Sequence, residues 1–343
     1  MLYSFFDIGG VVTLSKQLAL SAVVGTLALI VVGCSPSKPL DNQTPTVPKS
    51  VLQPRVKMSK QPVDGTLASI NEINTYQSYT GTDVKVYQVF YWSNGYKVEA
   101  YLTEPTKPGK YPLLVNLHGG AAWRGTPPSS LGYTAKVAAY LANAQTVMLY
   151  PEYEGYMESQ GQVMGAKTDM ADVTNAITAA KSLGEVKTND TYVIGYSLGG
   201  GLALMTATQD HEVKAVVAVS PFVGLTDFAQ WATRYAKPGS TFYEQLQVIE
   251  KSYGTNINSP AYQDRSPNIK DIQAPVLMLQ GTADHHVAWQ TVQTFAKQMK
   301  EAHKTVKLVL YPGGHHGLHT VPYQSESTQA MDSWFEKYGL NLQ

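Results

Sequence analysis

Short apolar runs, each closed by glycine, proline or a polar cluster, recur along most of this chain. Runs near Val84–Trp92, Tyr96–Thr103, Tyr111–Leu117, Gln145–Tyr150, Thr191–Gly195, Val213–Ser220, Pro275–Gln280 and Val306–Tyr311 predict strands. Between most of them the apolar spacing lengthens to that of a helix. The clearest case is Val163 to Leu183, where Ala166, Met170, Val173, Ile177 and Ala180 recur at alternating four- and three-residue steps. Gly184 is the expected stop of that helix. Strand alternating with helix predicts an α/β domain: a mostly parallel eight-stranded sheet covered by helices on both faces. Two segments fit this pattern less well. Val63 to Tyr79 is ambiguous, with a helix packed on the body as one reading, and Phe222 to Ile272 is long for a connection.

The N-terminal region follows another pattern. Leu18 to Gly33 is an uncharged apolar run after Lys16, ending in Val31-Val32-Gly33-Cys34. It is near the length of a secretory signal and short for a membrane span. Residues 35–62 hold six prolines among polar residues, too little apolar surface to order themselves, and read as a tether. The expected organisation is therefore 1–33 signal, 34–62 tether and 63–343 α/β domain, with 222–272 as an insertion. The chain has equal numbers of acidic and basic residues, so nothing in its charge suggests nucleic acid as a partner. Cys34 is the single cysteine, so no disulfide within the chain is possible.

The candidate chemistry lies at the ends of the predicted strands. Gly195-Tyr196-Ser197-Leu198-Gly199 follows one strand and opens a helix, the setting of a nucleophile elbow. A serine at so sharp a turn needs neighbours without bulk, and Gly195 and Gly199 meet that need. A serine hydroxyl also needs a base, and the base an acid to orient it. Asp284, past the strand at Pro275–Gln280, and His316, past that at Val306–Tyr311, follow in the order Ser, Asp, His. His118-Gly119-Gly120 ends the strand at Tyr111–Leu117. The backbone N–H groups of Gly120 and Leu198 are the candidate donors to a tetrahedral oxyanion.

From about Val84 onward the chain resembles an α/β-hydrolase, most closely the catalytic domain of prolyl oligopeptidase-family serine peptidases. His118-Gly119-Gly120 with Arg124 carries the resemblance, as does Asn189 to Gly200 around Ser197. Ser259 to Pro267, Gly281 to Val287 and Tyr311 to Gly317 extend it. In the family's last motif the catalytic histidine directly precedes the second glycine, which implies His316 rather than His315. The resemblance also places the 222–272 insertion over the active site, where Trp231, Tyr235, Phe242, Tyr243 and Tyr253 either wall the pocket or pack a small core of their own. Ala121 stands where the family often has proline, and the family's N-terminal propeller has no counterpart before Val84. The run into Cys34 resembles a bacterial lipoprotein signal, which implies acylation of Cys34 and a lipid-anchored place in the cell envelope, with Ser35 pointing to an outer membrane; the rival is an uncleaved anchor.

The implied function is a serine hydrolase acting through an acyl-enzyme, needing no cofactor or metal. Short peptides are the expected substrates, with small acyl esters as the alternative. Two rivals come from other classes. His285, His286, His315, His316 and His319 with Asp284 would make a hydrolytic zinc centre if they converged. The other rival is a non-catalytic binding lipoprotein built on a hydrolase scaffold.

Overall fold

The computed structural model describes residues 63–75, 83–120, 123–125, 129 and 132–342. The signal, Cys34 and the tether lie outside the described residues. Nine strands among the described residues form one sheet: β1 (Leu67–Glu72), β2 (Val84–Ser93), β3 (Tyr96–Pro105), β4 (Tyr111–Leu117), β5 (Val147–Pro151), β6 (Val186–Tyr196), β7 (Val213–Val219), β8 (Val276–Gly281) and β9 (Val306–Tyr311). Their order is β1-β2-β3-β5-β4-β6-β7-β8-β9. The first three form an antiparallel meander, and β3 is also antiparallel to β5. From β5 to β9 every neighbouring pair is parallel.

The burial of each strand follows from its place. Strands β5 and β8 are buried throughout and read as unbroken apolar runs, because helices cover both faces of a parallel sheet. One apolar layer packs the sheet against α2 (Lys167–Lys181), α3 (Leu198–Gln209) and α7 (Trp289–Glu301), through residues such as Val173, Leu202 and Phe295. The other packs it against α1 (Ala135–Leu141) and α8 (Tyr323–Lys337), through Val137, Met331 and Phe335. The 222–272 segment adds α4 (Leu225–Tyr235), α5 (Thr241–Tyr253) and the short α6 (Pro260–Gln263).

Two expectations are corrected. The Val63–Tyr79 segment contributes a strand, not a helix, and raises the sheet from eight strands to nine. Residues Leu67–Glu72 pair antiparallel with β2, with an irregular register between Leu67 and Ser69. Without β1 the outer edge of β2 would leave its backbone polar groups unpaired, and pairing them outweighs a weak helical period. The helix expected to stop at Gly184 ends earlier, with Ser182 as its cap in right-handed helical backbone. No left-handed glycine is needed there.

Candidate active site

The strand order assembles the site from the predicted loops. Because β4 lies beside β6, the His118-Gly119-Gly120 turn meets the serine elbow. Because β8 lies beside β9, Asp284 meets His316. Strand β7 separates the two pairs, and Ser220 at its end joins them. All these groups leave the carboxyl ends of parallel strands, where open α/β sheets place their ligands.

Ser197 sits between β6 and α3 with φ 55° and ψ −120°, a conformation held by its surroundings rather than favoured by serine. Its N–H donates to the Val219 carbonyl at 2.9 Å, and its carbonyl accepts from Phe222 N–H at 2.9 Å. Both flanking glycines are required by contact. A Cβ on Gly195 would lie 2.0 Å from the Gly199 carbonyl oxygen, and one on Gly199 would lie 2.3 Å from that of Leu117. The His118-Gly119-Gly120 turn packs directly on the serine: a Cβ on Gly119 would come within 3.0 Å of Ser197 Cβ and 3.7 Å of its Oγ. Leu198 is the first residue of α3.

Asp284 is buried and its carboxylate is saturated. Oδ1 accepts from the backbone N–H groups of His286 and Val287, at 2.8 and 2.9 Å. Oδ2 accepts from Gln280 Nε2 at 3.0 Å and lies 2.8 Å from His316 Nδ1. Burial alone would raise the carboxyl's pKa. The His316 hydrogen bond and charge, with the two backbone donors, outweigh it and hold the group below the usual carboxylate range. The carboxylate only accepts, so Nδ1 of His316 carries a proton and donates it. The His316 side chain is 24% exposed, whereas that of Asp284 is fully buried. Ser220 Oγ accepts from Gly317 N–H at 2.9 Å and fixes the loop that presents His316.

His315 is exposed and lies near His285, with ring centroids 6.3 Å apart. Among the described residues no group of three or more histidine, cysteine or carboxylate side chains is placed to hold a metal ion. The rival zinc centre thus finds no ligand cluster among the described residues. The insertion's aromatics divide. Trp231 packs edge-on against Phe242 and beside Tyr235, inside the insertion. Tyr253 reaches Trp123 on the loop after the His118-Gly119-Gly120 turn, its hydroxyl accepting from Arg124 N–H at 3.1 Å and donating to the Met164 carbonyl at 2.8 Å. Phe222 meets the same Trp123.

Sequence reasoning missed Gln280, Ser220 and the pairing of His118 with Glu152. Gln280 was visible as a polar residue inside an apolar strand, and Glu152 as a carboxylate directly after one. Neither pattern names its partner.

Comparison with known proteins agrees with this architecture. The sequence model of the prolyl oligopeptidase family matches residues 134–341. The uncharacterized peptidase YtmA of Bacillus subtilis (strain 168) is 27% identical over 233 residues, covering 66% of this chain and 84% of that protein. The acylamino-acid-releasing enzyme of Arabidopsis thaliana is 27% identical over 237 residues; the match spans 66% of this chain but only 30% of that enzyme. Among solved structures, acetyl xylan esterase 1 from Thermoanaerobacterium sp. JW/SL YS485 superposes with a TM-score of 0.59 at 19% identity, over 79% of this chain and 88% of that one. At such identity the likeness is one of fold, the α/β-hydrolase fold. The family match covers well over half of the 343 residues, and the chain belongs to the prolyl oligopeptidase family of serine hydrolases.

Proposed function

We propose that Ser197 is the nucleophile of an acyl-transfer reaction, with His316 as its base and Asp284 as the group that orients His316. The observation that carries this reading is the 2.8 Å contact between His316 Nδ1 and a saturated, buried Asp284, beside a serine in strained elbow backbone. In the first step His316 Nε2 takes the Ser197 hydroxyl proton as Oγ attacks the acyl carbonyl carbon. The carbonyl electron pair moves onto oxygen, where the N–H groups of Gly120 and Leu198 receive it. Collapse expels the leaving group, protonated by His316, and leaves an acyl-Ser197 ester. Water then repeats the sequence and releases the acid.

The substrate we propose is a short peptide, in keeping with the family and its peptidase relatives. A carboxylesterase reading is favoured by one observation, the superposition on an esterase along nearly its whole length. Both chemistries share the triad, and they differ in how much the leaving group depends on protonation by His316. Ser197→Ala should abolish labelling by a fluorophosphonate and lower turnover by at least ~10³-fold. Full labelling of that variant would refute the assignment, and an unlabelled wild type would favour a non-catalytic binding protein. Relative kcat/KM for short peptides and aryl esters on one preparation then chooses between the two substrates. We further propose that Cys34 is acylated and tethers the enzyme to the cell envelope, a reading that rests on sequence alone. Equal palmitate incorporation into wild type and Cys34→Ser would overturn it.

A further inference from the structure

Behind the oxyanion turn lies a second histidine–carboxylate pair that the triad does not use. His118 is 8% exposed and Glu152 fully buried, and His118 Nε2 lies 3.2 Å from Glu152 Oε2. The other nitrogen, Nδ1, is 2.7 Å from the carbonyl oxygen of Gly119. That carbonyl has only lone pairs to offer, so Nδ1 must bear a proton and donate it. The imidazole stacks on Tyr153 at 4.3 Å between centroids, with Tyr133 edge-on at 5.4 Å and Tyr156 tilted at 5.4 Å. Glu152 is fixed in turn by the backbone N–H of Tyr133.

The Gly119 carbonyl and the Gly120 N–H belong to a single planar peptide, in which a trans bond points them in opposite directions. Gripping the oxygen on the buried side therefore aims the N–H toward the reacting side. It also draws electron density toward the oxygen and makes that N–H a better donor. The preceding peptide is gripped as well, since the Tyr153 hydroxyl donates to the His118 carbonyl at 3.0 Å. A glycine pair has no side chains to restrain it, so the restraint must come from such contacts.

We propose that His118, held by Glu152, is a positioning residue that fixes and polarises the Gly119–Gly120 peptide for oxyanion binding. The inference rests on the oxyanion assignment of Gly120 proposed above. Two ionisation directions agree with it. Burial alone would lower the His118 pKa, but Glu152 beside it and the Gly119 carbonyl raise it overall, favouring the imidazolium. Asp169, the other carboxylate facing the ring, acts in the same direction. Glu152 itself is pushed up by burial against the pull of His118.

The test compares two isosteres, using p-nitrophenyl acetate for turnover and an alkyl trifluoromethyl ketone as a probe of the oxyanion. His118→Asn keeps an amide donor near the place of Nδ1. His118→Gln keeps one near the place of Nε2 and loses the donor to Gly119. His118→Gln should lower kcat by roughly 10–10²-fold, below the cost of deleting an oxyanion donor outright, with little change in KM. The ketone's inhibition constant should rise by a similar factor, while His118→Asn stays within about threefold of wild type on both measures. Wild-type kcat and ketone affinity in a folded His118→Gln protein would overturn the proposal, as would equal damage in both variants. Should His118→Gln fail to fold, Glu152→Gln decides, since it keeps the shape and removes the charge. Unchanged ketone affinity there refutes the idea; a loss of roughly threefold or more supports it. Wild-type protein inert to fluorophosphonate would instead defeat the serine reading beneath it.

Discussion

His316 and His118 each stand against a buried carboxylate at the same end of the sheet, at 2.8 and 3.2 Å. Their surroundings separate them. His316 places Nδ1 on Asp284, no hydrogen bond among the described residues engages its other nitrogen, and a quarter of the side chain is exposed. His118 has one nitrogen on Glu152 and the other on a backbone carbonyl, among three tyrosine rings. A base must exchange its proton with a substrate, so it needs a nitrogen that nothing else occupies. A positioning group needs the opposite, full commitment and no exchange. The carboxylates follow suit. Asp284 receives two backbone N–H groups and a glutamine amide besides its histidine, and burial is overcome. Glu152 receives a single backbone N–H, and burial prevails.

The comparison breaks most visibly at His316. His316→Ala should cost at least ~10³-fold in kcat, while His315→Ala, on an exposed side chain, stays within about threefold. The reverse result would exchange the two roles. Asp284→Asn should cost roughly 10²–10⁴-fold, because an amide turned toward Nδ1 favours the tautomer with its proton on Nε2. Near-normal kcat in that variant, with the fold intact by circular dichroism, would remove Asp284 from the machinery.

The parts of this arrangement that were legible in the sequence are those written within a few consecutive residues. The elbow Gly195 to Gly199 shows in the chain because close approach dictates residue type at each position. Asp284 and His316 show because each directly follows an apolar strand in a fixed order. Residues that act across strands leave no such trace: Gln280 holds Asp284, Ser220 holds the His316 loop, and Glu152 faces His118 only because β5 lies beside β4. Strand β1 was missed for a related reason, since half its residues are polar and its pairing with β2 depends on an edge that local spacing does not reveal. The insertion's aromatics looked alike in sequence, and only the fold divides Tyr253, at the site loop, from Trp231 and Phe242.

A third carboxylate extends the comparison to a group whose histidine lies farther off. Asp169, in the first turn of α2, is fully buried and pushed up to about 7 by burial, against weaker opposing pulls from His118, the Ala166 backbone and Arg265. Below its ordinary value of 3.8 both folded and unfolded chains are protonated and nothing is lost. Between there and about 7 the unfolded chain ionises first, so folding stability falls as pH rises; above about 7 the full cost is present. That window is worth at most about 4 kcal/mol at about 1.4 kcal/mol per pH unit. Asp169→Asn cannot ionise, so its Tm relative to wild type should improve from pH 4.5 to pH 8. An equal difference at both pH values would show that Asp169 does not titrate in this range.

The smallest effect is expected at Tyr253, beside the Trp123–Arg124 loop. Tyr253→Phe removes a hydroxyl that accepts from Arg124 N–H and donates to the Met164 carbonyl. Neither partner is stranded. The Arg124 N–H lies in an exposed contact that water can replace, and the Met164 carbonyl keeps a 3.0 Å hydrogen bond from Arg265 Nη2. The ring also keeps its edge-on contact with Trp123 and the guanidinium of Arg265 at 4.4 Å. The loss in stability should be about 1 kcal/mol, typical of a single neutral hydrogen bond. Because the Trp123–Arg124 loop follows the proposed oxyanion turn without including its proposed donors, KM for an aryl ester should rise about two- to fivefold with kcat nearly constant, the pattern of lost uniform binding. A fall in kcat of tenfold or more would mean that α5, through Tyr253, restrains the oxyanion turn itself. His118 and Tyr153 would then share that task with the insertion.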